Sequence, residues 1–144
     1  MLHDAPSHSA SRWLPVFFGV AACSWMTFWT CHFYVLETKS PFVVGSWTFS
    51  TTDTVLALIV YGALTASNLV AISVHRVRFL TALIDGIGHL VFGVIHLIRV
   101  ARPFRFEVFG YPWSPRSSIR ELTIVSLFAL LCFWVAHRAR IAGA

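Results

Sequence analysis

Charge is what this sequence lacks. Of 144 residues, 12% are Asp, Glu, Lys or Arg, about half the roughly 25% found in soluble domains. So thin a supply cannot cover a water-facing surface, which excludes a soluble globular protein. The 57% share of apolar residues excludes a disordered chain. Cysteine is scarce as well. Cys23, Cys31 and Cys132 lie in apolar stretches and form no C-x-x-C, which excludes a disulfide scaffold and a thioredoxin-like or zinc-ribbon pattern. Small buried hydrophobes is their ordinary role. There is no G-x-S-x-G, no H-E-x-x-H and no glycine pair to cradle phosphate, so hydrolytic chemistry has no motif to rest on. No internal repeat and no low-complexity segment is read along the chain.

What is present are long apolar runs, and a membrane-crossing helix needs about 20 such residues. Leu14 to Leu36 and Thr54 to Val74 contain no charge, and Phe79 to Ile98 contains only Asp85. The fourth run, Leu122 to Ala136, is short, but Arg120 and Glu121 can snorkel to the interface. Ser118-Ile-Arg-Glu121 and Ser50-Thr-Thr-Asp53 read as N-terminal caps. The expected fold is therefore all-α: an integral membrane four-helix bundle, up-down-up-down. Helices are expected at about 13–36, 53–75, 79–100 and 119–139, in one domain over 13–140. A mobile leader over 1–12 and a short tail over 141–144 complete the chain. Val20-Ala-Ala-Cys23 resembles a lipoprotein cleavage box, but the chain stays apolar and aromatic beyond it, unlike a signal peptide.

The net charge of +5 would suggest nucleic acid on a soluble chain. Here the arginines sit between apolar blocks, as topology signals and anionic-lipid contacts, and no nucleic-acid partner is expected. His75-Arg-Val-Arg78 is a tiny connection that makes the second and third helices an antiparallel hairpin. It is purely basic, like the tail, and points to cytoplasmic termini in a bacterial inner (plasma) membrane. The segment from Arg99 to Ser118 is aromatic, basic and proline-rich. Arg102, Phe104, Phe106 and Trp113 are its candidate lipid or partner contacts.

Ionisable groups deep in a span are costly and need a partner or a role. The third block sets Asp85, His89 and His96 along one stripe, and the second sets Tyr61 and Asn68 along another. Folding the hairpin levels Asn68 with 86–89 and Tyr61 with His96. A hydrogen-bonded network of Tyr61, Asn68, Asp85 and His89 would satisfy these groups without a cofactor. His32 and His96 fall at one depth on parallel helices, where two imidazoles are placed to ligate a b-type haem axially. Metal binding by Cys31, His32 and His96 is less well patterned, and no metal is expected.

Three functions follow as expectations. The first is a non-catalytic accessory subunit of a larger respiratory or photosynthetic membrane complex, with lipid and protein partners. The second is a haem- or quinone-binding anchor using His32 and His96. The third is a small proton-coupled transporter using Asp85, His89 and His96.

Overall fold

The computed structural model describes residues 13–102, 104–108, 111–112 and 114–143; the leader 1–12, Trp113 and Ala144 fall outside them. Four helices, α1 (Leu14–Thr38), α2 (Thr51–Ser73), α3 (Arg78–Ala101) and α4 (Pro115–Gly143), are each long and apolar enough to cross a membrane. The chain is an all-α integral membrane four-helix bundle.

Local chemistry sets the helix ends. Pro15 sits in the first turn of α1, where its missing N–H costs nothing. That helix stops at Lys39, which takes the left-handed conformation (φ 53°). Ser50 caps α2 reciprocally with Asp53. The end of α2 is held by Arg78, whose Nε and Nη2 donate to the Ala71 and Ile72 carbonyls at 2.9 and 2.8 Å. These are terminal carbonyls with no partner inside the helix.

The fourth helix corrects the sequence reading. It begins at Pro115, not near 119, because Ser114 is the cap: its hydroxyl accepts from the Ser117 N–H at 3.2 Å, and proline follows at the first helical position. Ser118 lies inside the helix, fully buried, and accepts from Arg99 Nη1 at 2.7 Å.

The connections between paired helices also hold more structure than expected. Strands β1 (Val43–Val44) and β2 (Trp47–Thr48) form a ribbon between α1 and α2, and β3 (Phe106–Val108) and β4 (Tyr111–Pro112) form another between α3 and α4. The ribbons join through β1 and β3 into one antiparallel sheet, ordered β2-β1-β3-β4. This sheet caps the end of the bundle opposite the start of α1 and the end of α4.

The sheet exposes an internal repeat that the sequence reading missed. Pairing in the first ribbon is Val43 with Thr48 and Val44 with Trp47. In the second it is Glu107 with Pro112 and Val108 with Tyr111, the same pattern 64 positions on. Val43 pairs with Glu107 across the centre, as a local twofold axis through that pair requires. The helices obey the same shift. The buried residues of α1 are Phe17, Phe18, Ala21, Ala22, Trp25, His32 and Val35. Their counterparts Thr81, Ala82, Asp85, Gly86, His89, His96 and Arg99 are all buried in α3. Thr54, Thr65, Asn68 and Ala71 of α2 match Ser118, Ala129, Cys132 and Val135 of α4, again all buried. The chain is thus two helix–ribbon–helix units related by a pseudo-twofold axis along the bundle. Helix caps Ser50 and Ser114 are equivalent as well.

Packing follows from this plan. Within each unit the two helices lie close together, with small residues such as Ala21, Ala22, Ala71 and Ala82 inside. Close backbone approach suits a bilayer, where lipid removes the hydrophobic drive for helices to associate. The units meet each other through large rings. Trp13 stacks on Trp134 at 5.0 Å and Phe17 on Phe128 at 6.0 Å. Trp25 reaches α3 only because residue 88 is glycine: a Cβ there would stand 2.8 Å from the Trp25 ring.

Candidate functional site

On the axis, directly under the sheet, lies a cavity of about 320 Å³, at the small end of ligand pockets, roughly 300–1,000 Å³. Its lining is paired by the repeat. Phe28 and Phe92, Cys31 and Ile95, His32 and His96, Phe42 and Phe106, and Tyr61 and Val125 all line it, each pair 64 positions apart. The floor is the Phe28–Phe92 pair, stacked at 5.0 Å with planes 8° apart. The roof is Phe42, just before β1, and Phe106 on β3, 6.0 Å apart and nearly perpendicular. Phe42 packs on His32 at 5.1 Å and Phe106 on His96 at 5.8 Å. Val91 lines the cavity and is 55% exposed.

The chamber is mostly apolar; its polar lining is His32 and His96, both buried, together with Cys31, Tyr61 and, on α4, Glu121. His32 Nδ1 bonds the Phe28 carbonyl at 2.9 Å. That contact fixes the ring and leaves Nε2 as the second nitrogen, the arrangement by which histidines are held for ligand or metal binding. His96 Nδ1 is buried with no hydrogen-bond partner. A buried polar atom left unpaired costs free energy and calls for an explanation. Among the described residues no group of three or more His, Cys, Asp or Glu is arranged to hold a metal ion.

A second polar cluster lies deeper in the bundle. Trp25 Nε1 donates to Asp85 Oδ1 at 2.7 Å, and Asn68 Nδ2 donates to the same oxygen at 3.0 Å. His89 Nδ1 bonds the Asp85 carbonyl one turn back at 2.8 Å. The His89 ring is gripped between Trp25 and Phe128, 4.6 Å from each. Asn68 Oδ1, Asp85 Oδ2 and His89 Nε2 have no partner. This cluster breaks the twofold: Ala21 stands opposite Asp85, Trp25 opposite His89, and Cys132 opposite Asn68.

The structure distributes the sequence candidates between these two places. His32 and His96 come together at the cavity, and Tyr61 joins them by packing on His32 at 5.0 Å. Asn68, Asp85 and His89 gather in the deeper cluster, and the level match of Asn68 with α3 becomes a direct bond to Asp85. Phe106 turns inward onto the cavity, away from the outer contact surface expected for it. Phe104 is half-buried, and its carbonyl accepts from Arg99 Nε at 3.3 Å. Arg102 is exposed at the end of α3, and Trp113 lies outside the described residues. Arg99 also sits 5.0 Å over the Phe106 ring and so ties α3, α4 and the sheet together. On the sheet, Arg105 clasps Glu107 through two hydrogen bonds of 2.8 and 2.9 Å. Those bonds hold the Glu107 carboxyl below its ordinary range and raise the Arg105 guanidinium.

Phe28, Phe42, Phe92 and Trp25 were not among the sequence candidates. The signal that finds the first three is the recurrence of Phe, His and Phe at one spacing: Phe28, His32, Phe42 and again Phe92, His96, Phe106. Compared with models of known protein families, with curated proteins and with solved structures, the chain has no match.

Proposed function

We propose that this protein is a membrane-embedded holder of a planar, largely apolar ligand, seated on the pseudo-twofold axis and gripped by His32 and His96. One observation carries the reading. The two halves share few residues outright, and three of the shared pairs, Phe28/Phe92, His32/His96 and Phe42/Phe106, line one cavity. Packing alone does not demand this. Elsewhere the halves fill equivalent buried positions with quite different side chains, such as Phe18 and Ala82. The chamber offers apolar ring faces for contact and a few polar atoms for orientation, the usual composition of a small-molecule site. Val91, which lines the cavity and is exposed, is where a ligand arriving through lipid would enter. With cytoplasmic termini in a bacterial inner membrane, the sheet and cavity fall near the outer face of that membrane.

Membership of a larger respiratory or photosynthetic assembly is compatible with this role. It draws support from the exposed apolar row Leu127, Leu130 and Trp134 on α4, which suits a neighbouring subunit as well as lipid. The proton-coupled reading has less support. Phe92, stacked on Phe28, lies along α3 between His89 and His96, and Asp85 Oδ1 is already engaged by Trp25 and Asn68.

The test uses protein purified in mild detergent. An absorption spectrum and the thermal unfolding midpoint are recorded with and without naphthalene and 1,4-naphthoquinone. A bound chromophore, or a midpoint raised by either compound in the wild type but not in cavity-filling Val125→Trp, is the expected outcome. A colourless protein whose midpoint neither compound moves, running within a large assembly on a native gel, would leave the accessory-subunit role alone.

A further inference from the structure

Resting on the ligand-holding reading, we propose that the ligand is a para-dioxygenated ring, a 1,4-quinone or its hydroquinone, with one ring oxygen at His32 and the other at His96.

A site built on a twofold axis presents the same side chain from two directions, so it is matched by a ligand carrying the same polar atom at opposite ends. His32 and His96 are equivalent under the 64-residue shift, and Phe42 and Phe106 pack on them in the same way. Apart from Cys31, Tyr61 and Glu121, the rest of the lining is aromatic and aliphatic. A six-membered ring with oxygens at positions 1 and 4 has this pattern: apolar faces and edges with two acceptors or donors in line.

The histidines suit both redox forms of such a ring. A neutral imidazole has one donor nitrogen and one acceptor nitrogen. With Nδ1 tied to the Phe28 carbonyl, His32 has one nitrogen left for a ligand. His96 Nδ1 is buried without a partner, so His96 too keeps hydrogen-bonding capacity that the protein does not use. The aromatic pairs supply the rest. The Phe28–Phe92 stack offers a flat floor, and the Phe42 and Phe106 rings meet a planar guest from above, in the stacked and edge-on geometries that aromatic rings favour. The exposed Val91 beside the cavity gives a lipid-soluble tail a way out.

Size separates this ligand from the other planar group that two histidines grip. The chamber of about 320 Å³ accommodates one or two fused six-membered rings. A tetrapyrrole is four pyrroles wide and would have to displace the Phe42 or Phe106 ring and, with it, the centre of the sheet. The one-sided residues also fit a ring that is not perfectly symmetric. Tyr61 and Cys31 face Val125 and Ile95 across the axis, and Glu121 lines the chamber from the second half alone, so the two edges of the chamber differ in their polar groups.

The experiment is calorimetric titration of the full chain, purified in detergent, with 1,4-naphthoquinone and with naphthalene. The quinone should bind at least about tenfold tighter, the value of roughly one good hydrogen bond. His32→Ala and His96→Ala should each shrink the ratio of quinone to naphthalene affinity, measured within the same variant. His32→Gln, which restores a donor, should recover part of it. Circular dichroism controls for the fold. Equal binding of both compounds by the wild type would overturn the quinone assignment and leave the ligand-holding reading intact. A Soret band in the purified protein would do the same. Failure of both compounds to bind would overturn both.

Discussion

The two halves of this chain agree at one end of the bundle and disagree in its middle. At the sheet end the same residues recur in the same places: Phe28 and Phe92, His32 and His96, Phe42 and Phe106, Ser50 and Ser114. In the middle, equivalent positions hold unlike residues, and the unlike residues bond to one another: Trp25 and Asn68 from the first half reach Asp85 in the second. The contrast separates two jobs. A heterogeneous buried network fixes which halves meet and in what register. Three of the repeated pairs line one cavity that both halves face under the sheet, and repetition there is what a ligand spanning the axis asks of each half.

That contrast can be broken most severely at Trp25. Trp25→Ala removes the largest fully buried side chain, for which about 3–5 kcal/mol is typical, and unfolding in detergent should report it. The equivalent change in the other half, His89→Ala, deletes a smaller ring and should cost distinctly less. A milder disruption is Asp85→Ala, which copies Ala21 from the first half. It strips the acceptor from Trp25 and Asn68 and should cost about 1–3 kcal/mol, without altering ligand binding at the cavity.

Gly88→Ala pushes a methyl group to 2.8 Å from the Trp25 ring and should cost about 1–3 kcal/mol by overpacking. Gly93→Ala has 3.6 Å of clearance and should be nearly neutral. Unfolding midpoints of the pair would separate close approach from general crowding. Smaller still is the comparison of caps. Ser50→Ala and Ser114→Ala should each cost about 0.5–2 kcal/mol, with Ser50 the larger because Asp53 answers it reciprocally. At the bottom of the scale is the exposed Arg105–Glu107 pair. Its small stabilisation is present at neutral pH. It fades as pH falls through the lowered Glu107 value, so Glu107→Gln should change the acid side of the pH–stability curve and little else.

Much of this fold is legible from residue chemistry alone. Long uncharged runs give four spans, and Ser50 with Asp53 marks a cap that the structure keeps. The antiparallel turn at His75–Arg78 follows from its length. The polar stripe of α3 also reads directly, because few charges enter a membrane without a reason. The start of the fourth helix is ambiguous in the sequence because Ser118–Glu121 satisfies a capping pattern as well as Ser114–Ser117 does. Only the Pro at 115 and the burial of Ser118 beneath Arg99 decide between them. The sheet was hidden by strands of two or three residues, too short for an alternating pattern to register.

The repeat was hidden for a related reason. In a bilayer most positions need only be apolar, so the halves drift apart everywhere except where geometry or a ligand holds them. Val35 against Arg99 and Phe18 against Ala82 carry no visible kinship. The His-to-Phe spacing of ten residues, His32 to Phe42 and His96 to Phe106, was present all along. It becomes meaningful once the sheet sets Phe42 and Phe106 side by side.

The account rests on the claim that both halves serve one ligand. Its most direct test is histidine-selective ¹⁵N NMR of the full chain in detergent, titrated with 1,4-naphthoquinone. The account predicts that the His32 and His96 side-chain signals move together and saturate at one quinone per chain, while His89 stays in place. Movement of one imidazole without the other, or of neither, would contradict it.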